Sequence, residues 1–570
     1  MGKLRTALLV AIACMMAASA QHVPEMMQKL MNAEYAISNF YVDSVDQKKL
    51  VEDAITGMLS KLDPHSSYTD ARETKEMEEP LQGEFSGIGI QFNMQKDTLY
   101  VIQTIAGGPS ERVGIVAGDR IVSVNDTTIA GVKMKNTDIM KRLRGKKGSK
   151  VTVAVKRAGT PKLITFRITR DNIPLYSVDA KYMLDDSTGY VRISRFGAKT
   201  YDEMMEALDA LSAQGMRQLV LDLSDNGGGY LQAAIEMSNE FLNQGNMIVY
   251  TQGNNAPRSE ARAEGNGRYK DLPMVVMVNQ YSASAAEIFT GAMQDWDRAV
   301  VVGRRTFAKG LVQRPFRFND GSMIRLTIAR YYTPSGRCIQ KPYIKGNRRN
   351  YDEDIVRRLK DGEYYSIDSI QFNDSLRYTT MVNHRTIYGG GGIMPDVFVP
   401  IDTTEYSNYY RDMVAKGIVN QYCLSYVDRN RKQLQKVYPT VADFDRGFTV
   451  TDDEMQKFID MGSRDSVKFD STQYNTSKRL LRSIIKGLIA RDVYTDASAY
   501  TVIINHDNRE LQAALSVLND RKRFNDLLKH GNTEYEVIAA RHKAAAKAKA
   551  EKKTAEAKTA PADSKKAKKK

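Results

Sequence analysis

At 570 residues, with 42% apolar and 26% charged side chains, the chain is that of a globular protein too long for one core, and two to four domains are expected. Its net charge of +15 is unevenly spread: residues 541–570 carry +9 of it, leaving the body at +6. That near balance argues against a nucleic-acid-binding fold, whose basic patch would lie on the folded surface. Three cysteines are too few for a disulfide scaffold and lack metal-cluster spacing.

The N-terminus predicts an export signal over residues 1–20. Lys3 and Arg5 precede the apolar run Ala7 to Met16, and Ala18-Ser19-Ala20 offers a cleavage site that leaves Gln21 as the mature start. A buried N-terminal helix is the bland alternative. Cys14 raises a lipoprotein alternative, disfavoured by Ala11 three places before it. Cleavage would leave Cys338 and Cys423, enough for one disulfide. No later apolar run reaches the 18 residues of a membrane span.

Residues 21–82 predict a helical lead-in, from the spacing of Met27, Leu30, Met31 and then Leu50, Ile55, Met58, Leu59 and Leu62. It ends in the turn Asp63-Pro64-His65-Ser66. Residues 83–170 predict a compact β-rich module, with strand-like runs at Tyr100–Ile102, Ile121–Val124 and Val151–Val155 and a helix over Thr137–Leu143. Residues 171–401 predict an α/β domain, in which Leu219–Leu223, Met274–Val278 and Ala299–Val302 alternate with amphipathic helical segments. Residues 402–535 predict a helical extension. Leu480, Leu481, Ile484, Ile485, Leu488 and Ile489 form one stripe there, and Thr451-x-x-Glu454 marks a helix start. Residues 536–570, rich in Ala and Lys, read as a solvated tail, with contact to anionic envelope surfaces as the functional alternative.

Gly87-Ile88-Gly89-Ile90 resembles the carboxylate-binding loop of a PDZ domain. Glycines there let successive N–H groups converge on a terminal carboxylate, and the strand that follows offers an edge to an extended peptide. Gly118-Asp119-Arg120-Ile121, about thirty residues on, strengthens the match. The resemblance implies that the module binds free, apolar C-termini of protein substrates.

Three segments of the α/β region are similar, in order, to the C-terminal processing (tail-specific) peptidases, and with the PDZ module the resemblance spans about residues 35–400. Asp222-Leu223-Ser224-Asp225-Asn226-Gly227-Gly228-Gly229 resembles that family's Asp-Leu-Arg-x-Asn-x-Gly-Gly turn, although Ser224 stands where the family has Arg. The resemblance implies an oxyanion-hole N–H at Gly228, with Gly229 the next choice. Ser282-Ala283-Ser284-Ala285-Ala286-Glu287 implies Ser284 as the nucleophile and Ala285 N–H as the second oxyanion donor, where a helix N-terminus favours developing negative charge. Its bland reading is a capping box. Phe307-Ala308-Lys309-Gly310-Leu311-Val312-Gln313 resembles the family's Phe-Gly-Lys-Gly-x-Val-Gln, with Ala308 for Gly. Lys309, 25 residues after Ser284, is thereby the implied base and Gln313 its assistant.

Only six histidines exist, none well placed for a Ser-His-Asp triad, and no metal-ligand spacing occurs. The glycine run Tyr388-Gly389-Gly390-Gly391-Gly392-Ile393 lacks the ending of a phosphate loop and resembles the family's closing segment. The fold class expected is therefore a multidomain α+β chain: a PDZ domain, a crotonase-like α/β catalytic domain (by resemblance), and helical segments at both ends. The function expected is an exported serine endopeptidase of the bacterial periplasm or envelope, needing no cofactor. A homo-oligomer is left open. The rivals are a catalytically inactive PDZ scaffold and an acyl-CoA enzyme; intact Ser284, Lys309 and Gln313 count against the first, the export signal and PDZ insertion against the second.

Overall fold

The computed structural model describes residues 24–105, 107–532, 534–544 and 547. The expected export signal, Cys14 and the tail beyond Lys547 lie outside the described residues. The chain divides into two compact units. The smaller gathers the described residues up to Arg72 with Gln313–Thr327 and Tyr343–Tyr351; the larger holds Glu73–Val312, Ile328–Pro342 and the described residues from Asp352 onward.

In the smaller unit the lead-in forms the helices Glu25–Phe40 and Gln47–Leu59, the second capped by the Asp46 side chain on Lys49 N–H. Periodicity here does not mean burial: no residue of the first helix is buried, and Met26, Met31, Tyr35 and Phe40 are exposed. The strand Ser67–Thr69 pairs antiparallel with Met323–Arg325.

In the larger unit, the β-rich module is an antiparallel sheet of Ile90–Gln95, Thr98–Thr104, Arg120–Val124, Lys150–Lys156 and Ile164–Thr169, in that spatial order. Alternation along Lys150–Lys156 buries Val151, Val153 and Val155 against Leu99, Ile121 and Ile139, the last from the helix Asn136–Leu143. The two-residue turns Lys96-Asp97 and Asn125-Asp126 have positive φ throughout, the hairpin geometry that Asn and Asp tolerate best.

The α/β region is a six-stranded sheet ordered Val178–Met183, Thr188–Ile193, Gln218–Asp222, Met274–Val278, Val300–Gly303, Val397–Phe398. The first pair is antiparallel and all the rest parallel. The central strands are buried at every residue, which is why they read as continuous apolar runs. Leu219, Leu221, Val276 and Val278 face the helices Thr200–Ala213, Leu231–Asn239 and Ala285–Asp295. The opposite face, with Val220, Val275 and Met277, is covered by Leu511, Val517 and Phe524 from the helices Arg509–Asn519 and Arg521–His530. The helical extension therefore completes the core of the sheet. It also has a core of its own around Met413, Tyr422, Phe444, Phe458, Leu481 and Ile485, and Thr451 accepts from Glu454 N–H as its spacing predicts. Cys338 and Cys423 are both free thiols; burial pushes Cys423 well above the usual thiol range.

Candidate active site

The turns that follow Asp222 and Val278 lie side by side at the carboxyl end of the parallel strands, where open α/β sheets place their ligands. Ser282 Oγ donates to Leu223 O at 2.7 Å and accepts from Asn279 N–H at 2.9 Å, so one buried hydroxyl joins both turns. The chain then passes Ser284 at φ 56°, ψ −114° and enters the helix Ala285–Asp295. A serine in that conformation is strained by about 1–3 kcal/mol and persists only where its surroundings hold it.

Glu287 does much of the holding. It is fully buried, and its carboxylate accepts from Ser284 N–H at 2.9 Å, Ala308 N–H at 2.8 Å, Lys309 N–H at 2.9 Å and the Thr306 hydroxyl. Burial pushes its pKa up to about 7, against the pull of those four hydrogen bonds. Tyr331, also buried, brings its hydroxyl to the carbonyls of both Ser284, at 3.2 Å, and Lys309. The backbones of Ser284 and Lys309 are thus joined twice. Ala308, where glycine is usual in the resembling segments, has φ 73°, which explains that usage. Thr306 Oγ1 in turn accepts from Ile393 N–H at 2.7 Å, so the glycine run closes over this segment.

The glycine turn meets the serine turn through Asn226. Its carbonyl accepts from Ala283 N–H at 2.9 Å, its Nδ2 donates to Ile193 O at 2.7 Å, and its Oδ1 accepts from Gly228 N–H at 2.9 Å. Gly228, at φ 93°, lies so close that an added Cβ would stand 2.7 Å from Ser284 Cβ and 2.9 Å from Ala285 N. No larger residue fits. Gly228, Ser284 and Ala285 are therefore brought together, with the Gly228 N–H engaged by Asn226; the Gly229 N–H donates to none of the described residues.

Gln313 belongs to the smaller unit, where its Nε2 donates to Thr327 Oγ1 at 3.3 Å, and Thr327 Oγ1 donates to Asp63 Oδ1 at 2.8 Å. Asp63 also accepts from His65 N–H, Ser66 N–H and the Ser66 hydroxyl. Burial raises its pKa, but these hydrogen bonds outweigh burial and leave it below the usual carboxylate value. His65 lies in the same unit with Nε2 2.9 Å from the Tyr351 hydroxyl.

In the PDZ-like module, the carbonyls of Ile88 and Gly89 turn inward, to Ser110 N–H at 3.0 Å and Ile105 N–H at 3.1 Å. Among the described residues, neither Ile88 nor Gly89 N–H donates to a partner. Gly89 has φ 74°, and a Cβ there would stand 3.0 Å from Ile173 Cδ1 and 3.2 Å from Pro109 Cδ.

Sequence reasoning missed the anchoring groups Asn226, Tyr331 and Asp63 and saw only the local half of Glu287. The Ser-x-x-Glu spacing was the one available signal, and it pointed to helix capping.

The profile described as peptidase family S41 matches residues 187–348, a PDZ domain profile matches 86–168, and that of the activating protease CtpB N-terminal domain matches 11–74. Residues 409–496 match a family of unknown function. The chain is 37% identical to a carboxy-terminal-processing protease of Bartonella bacilliformis, over 53% of this chain and 69% of that one. It is 35% identical to the carboxy-terminal processing protease CtpB of Bacillus subtilis, over 62% of this chain and 71% of that one. Among solved structures it is similar to a photosystem II D1 C-terminal processing protease, at 26% identity over 66% of this chain and 94% of that one, with a TM-score of 0.34.

Proposed function

Because the chain belongs to the carboxy-terminal processing proteases of peptidase family S41, we propose that Ser284 is the nucleophile of its peptidase reaction and Lys309 the general base. Ser284 Oγ attacks the scissile carbonyl carbon while the neutral Lys309 amine takes its proton. The amine then returns that proton to the leaving nitrogen, and water releases the acyl group by the same steps in reverse order. Ala285 N–H, with Gly228 N–H shared from Asn226, stabilises the oxyanion. Lysine can act so only when neutral, because a protonated amine has no lone pair to take the serine proton.

The observation that carries this reading is the buried Glu287 carboxylate, which binds the backbone on both sides of the dyad. The PDZ domain presents substrates to the site by capturing their free C-termini at Gly87–Ile90. Residues 1–20 direct the enzyme across the membrane to the periplasm or envelope. The test is digestion of a generic unfolded protein, with mass mapping of the products. Wild type should release defined fragments and Ser284→Ala none; the same fragments from Ser284→Ala would refute the assignment.

A further inference from the structure

The glycine turn carries three carboxylates in or beside it and no cation of its own. Asp222 receives Ser224 N–H at 2.8 Å and the Tyr190 hydroxyl at 2.6 Å. Asp225, at φ 61°, is tied twice to Asn279 of the serine turn: its N–H donates to Asn279 Oδ1 at 3.0 Å, and its Oδ1 accepts from Asn279 Nδ2 at 2.8 Å. Asn279 Oδ1 also accepts from Tyr281 N–H at 3.0 Å, so Asp225 is the pin between the two turns. Asp179, on the edge strand, completes the acidic group.

One guanidinium faces all three. Arg192 lies in register beside Asp222 on the adjacent parallel strand. Its Nη2 stands 3.5 Å from Asp225 Oδ2 and its Nε 3.7 Å from Asp179 Oδ1. These contacts are longer than hydrogen bonds, and both Arg192 Nε and Asp179 Oδ1 are buried without a hydrogen-bond partner. Charge holds this group, not packing of saturated hydrogen bonds. Arg192 and Ser224 line the same cavity of about 500 Å³, which residues of the helical extension also line.

We propose that Arg192 is a positioning residue for the peptidase reaction. From the neighbouring strand it supplies the guanidinium that Ser224 does not, holding Asp225 on Asn279 and so keeping the Gly228 turn aligned with Ser284. The inference rests on the catalytic reading above and deepens it. Without Arg192 the carboxylates repel one another, Asp225 swings off Asn279, and the oxyanion donors lose alignment while the substrate-binding surfaces stay as they were.

The test measures kcat and KM separately on a short peptide for wild type, Ser284→Ala, Arg192→Leu, and Arg192→Leu combined with Ser224→Arg. Arg192→Leu should lower kcat by about 10- to 100-fold, the scale of a small misplacement of catalytic groups, with KM within about twofold. Adding Ser224→Arg should recover at least about tenfold of the loss, because the cavity admits the longer side chain one residue from Asp225. Wild-type kcat in Arg192→Leu, or a loss that Ser224→Arg leaves untouched, overturns the proposal. Should Arg192→Leu alone fail to fold, the double variant decides: folded and active, it bears the proposal out, and unfolded or inactive, it overturns it. Turnover by Ser284→Ala would instead break the underlying reading, whatever the Arg192 variants do.

Discussion

The Gly87–Ile90 loop of the PDZ domain and the turns around Gly228, Ser284 and Lys309 are all short reversals at strand ends, yet they are fixed by different means. In the loop, the one residue with positive φ is a glycine, Gly89, and the carbonyls of Gly89 and Ile88 are held by N–H groups 16 and 22 residues away in the same module. At the serine, lysine and glycine turns Asp225, Ser284 and Ala308 all adopt positive φ although none is glycine. Their anchors come from other segments: Asn279 for Asp225, 54 residues off, and Glu287 for the Lys309 segment, 22 residues off. A loop built on backbone groups can use the residue that bends freely. Where a turn carries a side chain at a positive φ, as at Asp225 and Ser284, buried polar groups hold the strain instead.

The largest effect should come from removing such an anchor. Glu287→Ala leaves three N–H groups and one hydroxyl without their acceptor, those of Ala308 and Thr306 buried and those of Ser284 and Lys309 partly so, at about 1–3 kcal/mol each. Loss of at least about 4 kcal/mol of stability and of all activity is expected in urea unfolding and peptide hydrolysis. A variant within about 1 kcal/mol of wild type would contradict the anchoring.

The same carboxyl sharpens the comparison through pH. Its folded-state pKa of about 7 exceeds the ordinary value of 4.5, so the native state holds the proton more tightly. Its contribution to stability is therefore full below about pH 4.5 and is lost as pH rises through about 7, a change of about 3 kcal/mol. Urea unfolding between pH 5 and 8 should show that decline in wild type and a flatter line in Glu287→Gln. Parallel lines for the two would count against a buried titration.

At the PDZ loop the effects should be smaller and confined to binding. Gly89→Ala forces a Cβ into contact with Ile173 and Pro109 at a positive φ. Capture of peptides with free C-termini should weaken by about tenfold, and amidating those peptides should do the same to wild type, since charge-assisted bonds to the carboxylate are worth about 1.5–3 kcal/mol each. Equal binding of free and amidated peptides would remove the loop's role. The smallest effect is expected at Ala308, where glycine adopts φ 73° without strain. Ala308→Gly should stabilise by about 0.5–1 kcal/mol, net of the flexibility that glycine adds to the unfolded chain, with activity within about twofold. Destabilisation there would mean that the alanine methyl is worth more than the strain it causes.

How far the sequence revealed this follows from the same contrast. The PDZ domain was legible because its alternation and turn glycines are local. The segments carrying Ser284 and Lys309 were legible through their resemblance to a family, and the α/β order through its apolar runs. What covers the second face of the sheet was not, because strands buried on both sides, such as Met274–Val278, read alike whatever lies on either face. That Leu511 and Val517 do so emerged only from the structure. Glu287 was visible as a helix cap, but its bonds to Ala308 and Lys309 are long-range and leave no spacing to read. That Ala308 sits at a positive φ is likewise not written in the sequence.

The central claim is that the Ser284 proton goes to a neutral Lys309 amine. The most direct test is the rate of short-peptide hydrolysis by wild type and Lys309→Arg from pH 6 to pH 10. Guanidinium keeps its proton throughout that range. The account predicts a wild-type rate that rises with pH as the amine loses its proton, and a Lys309→Arg rate at least about a thousandfold lower at every pH, with the variant still folded. A Lys309→Arg rate within about tenfold of wild type would contradict it.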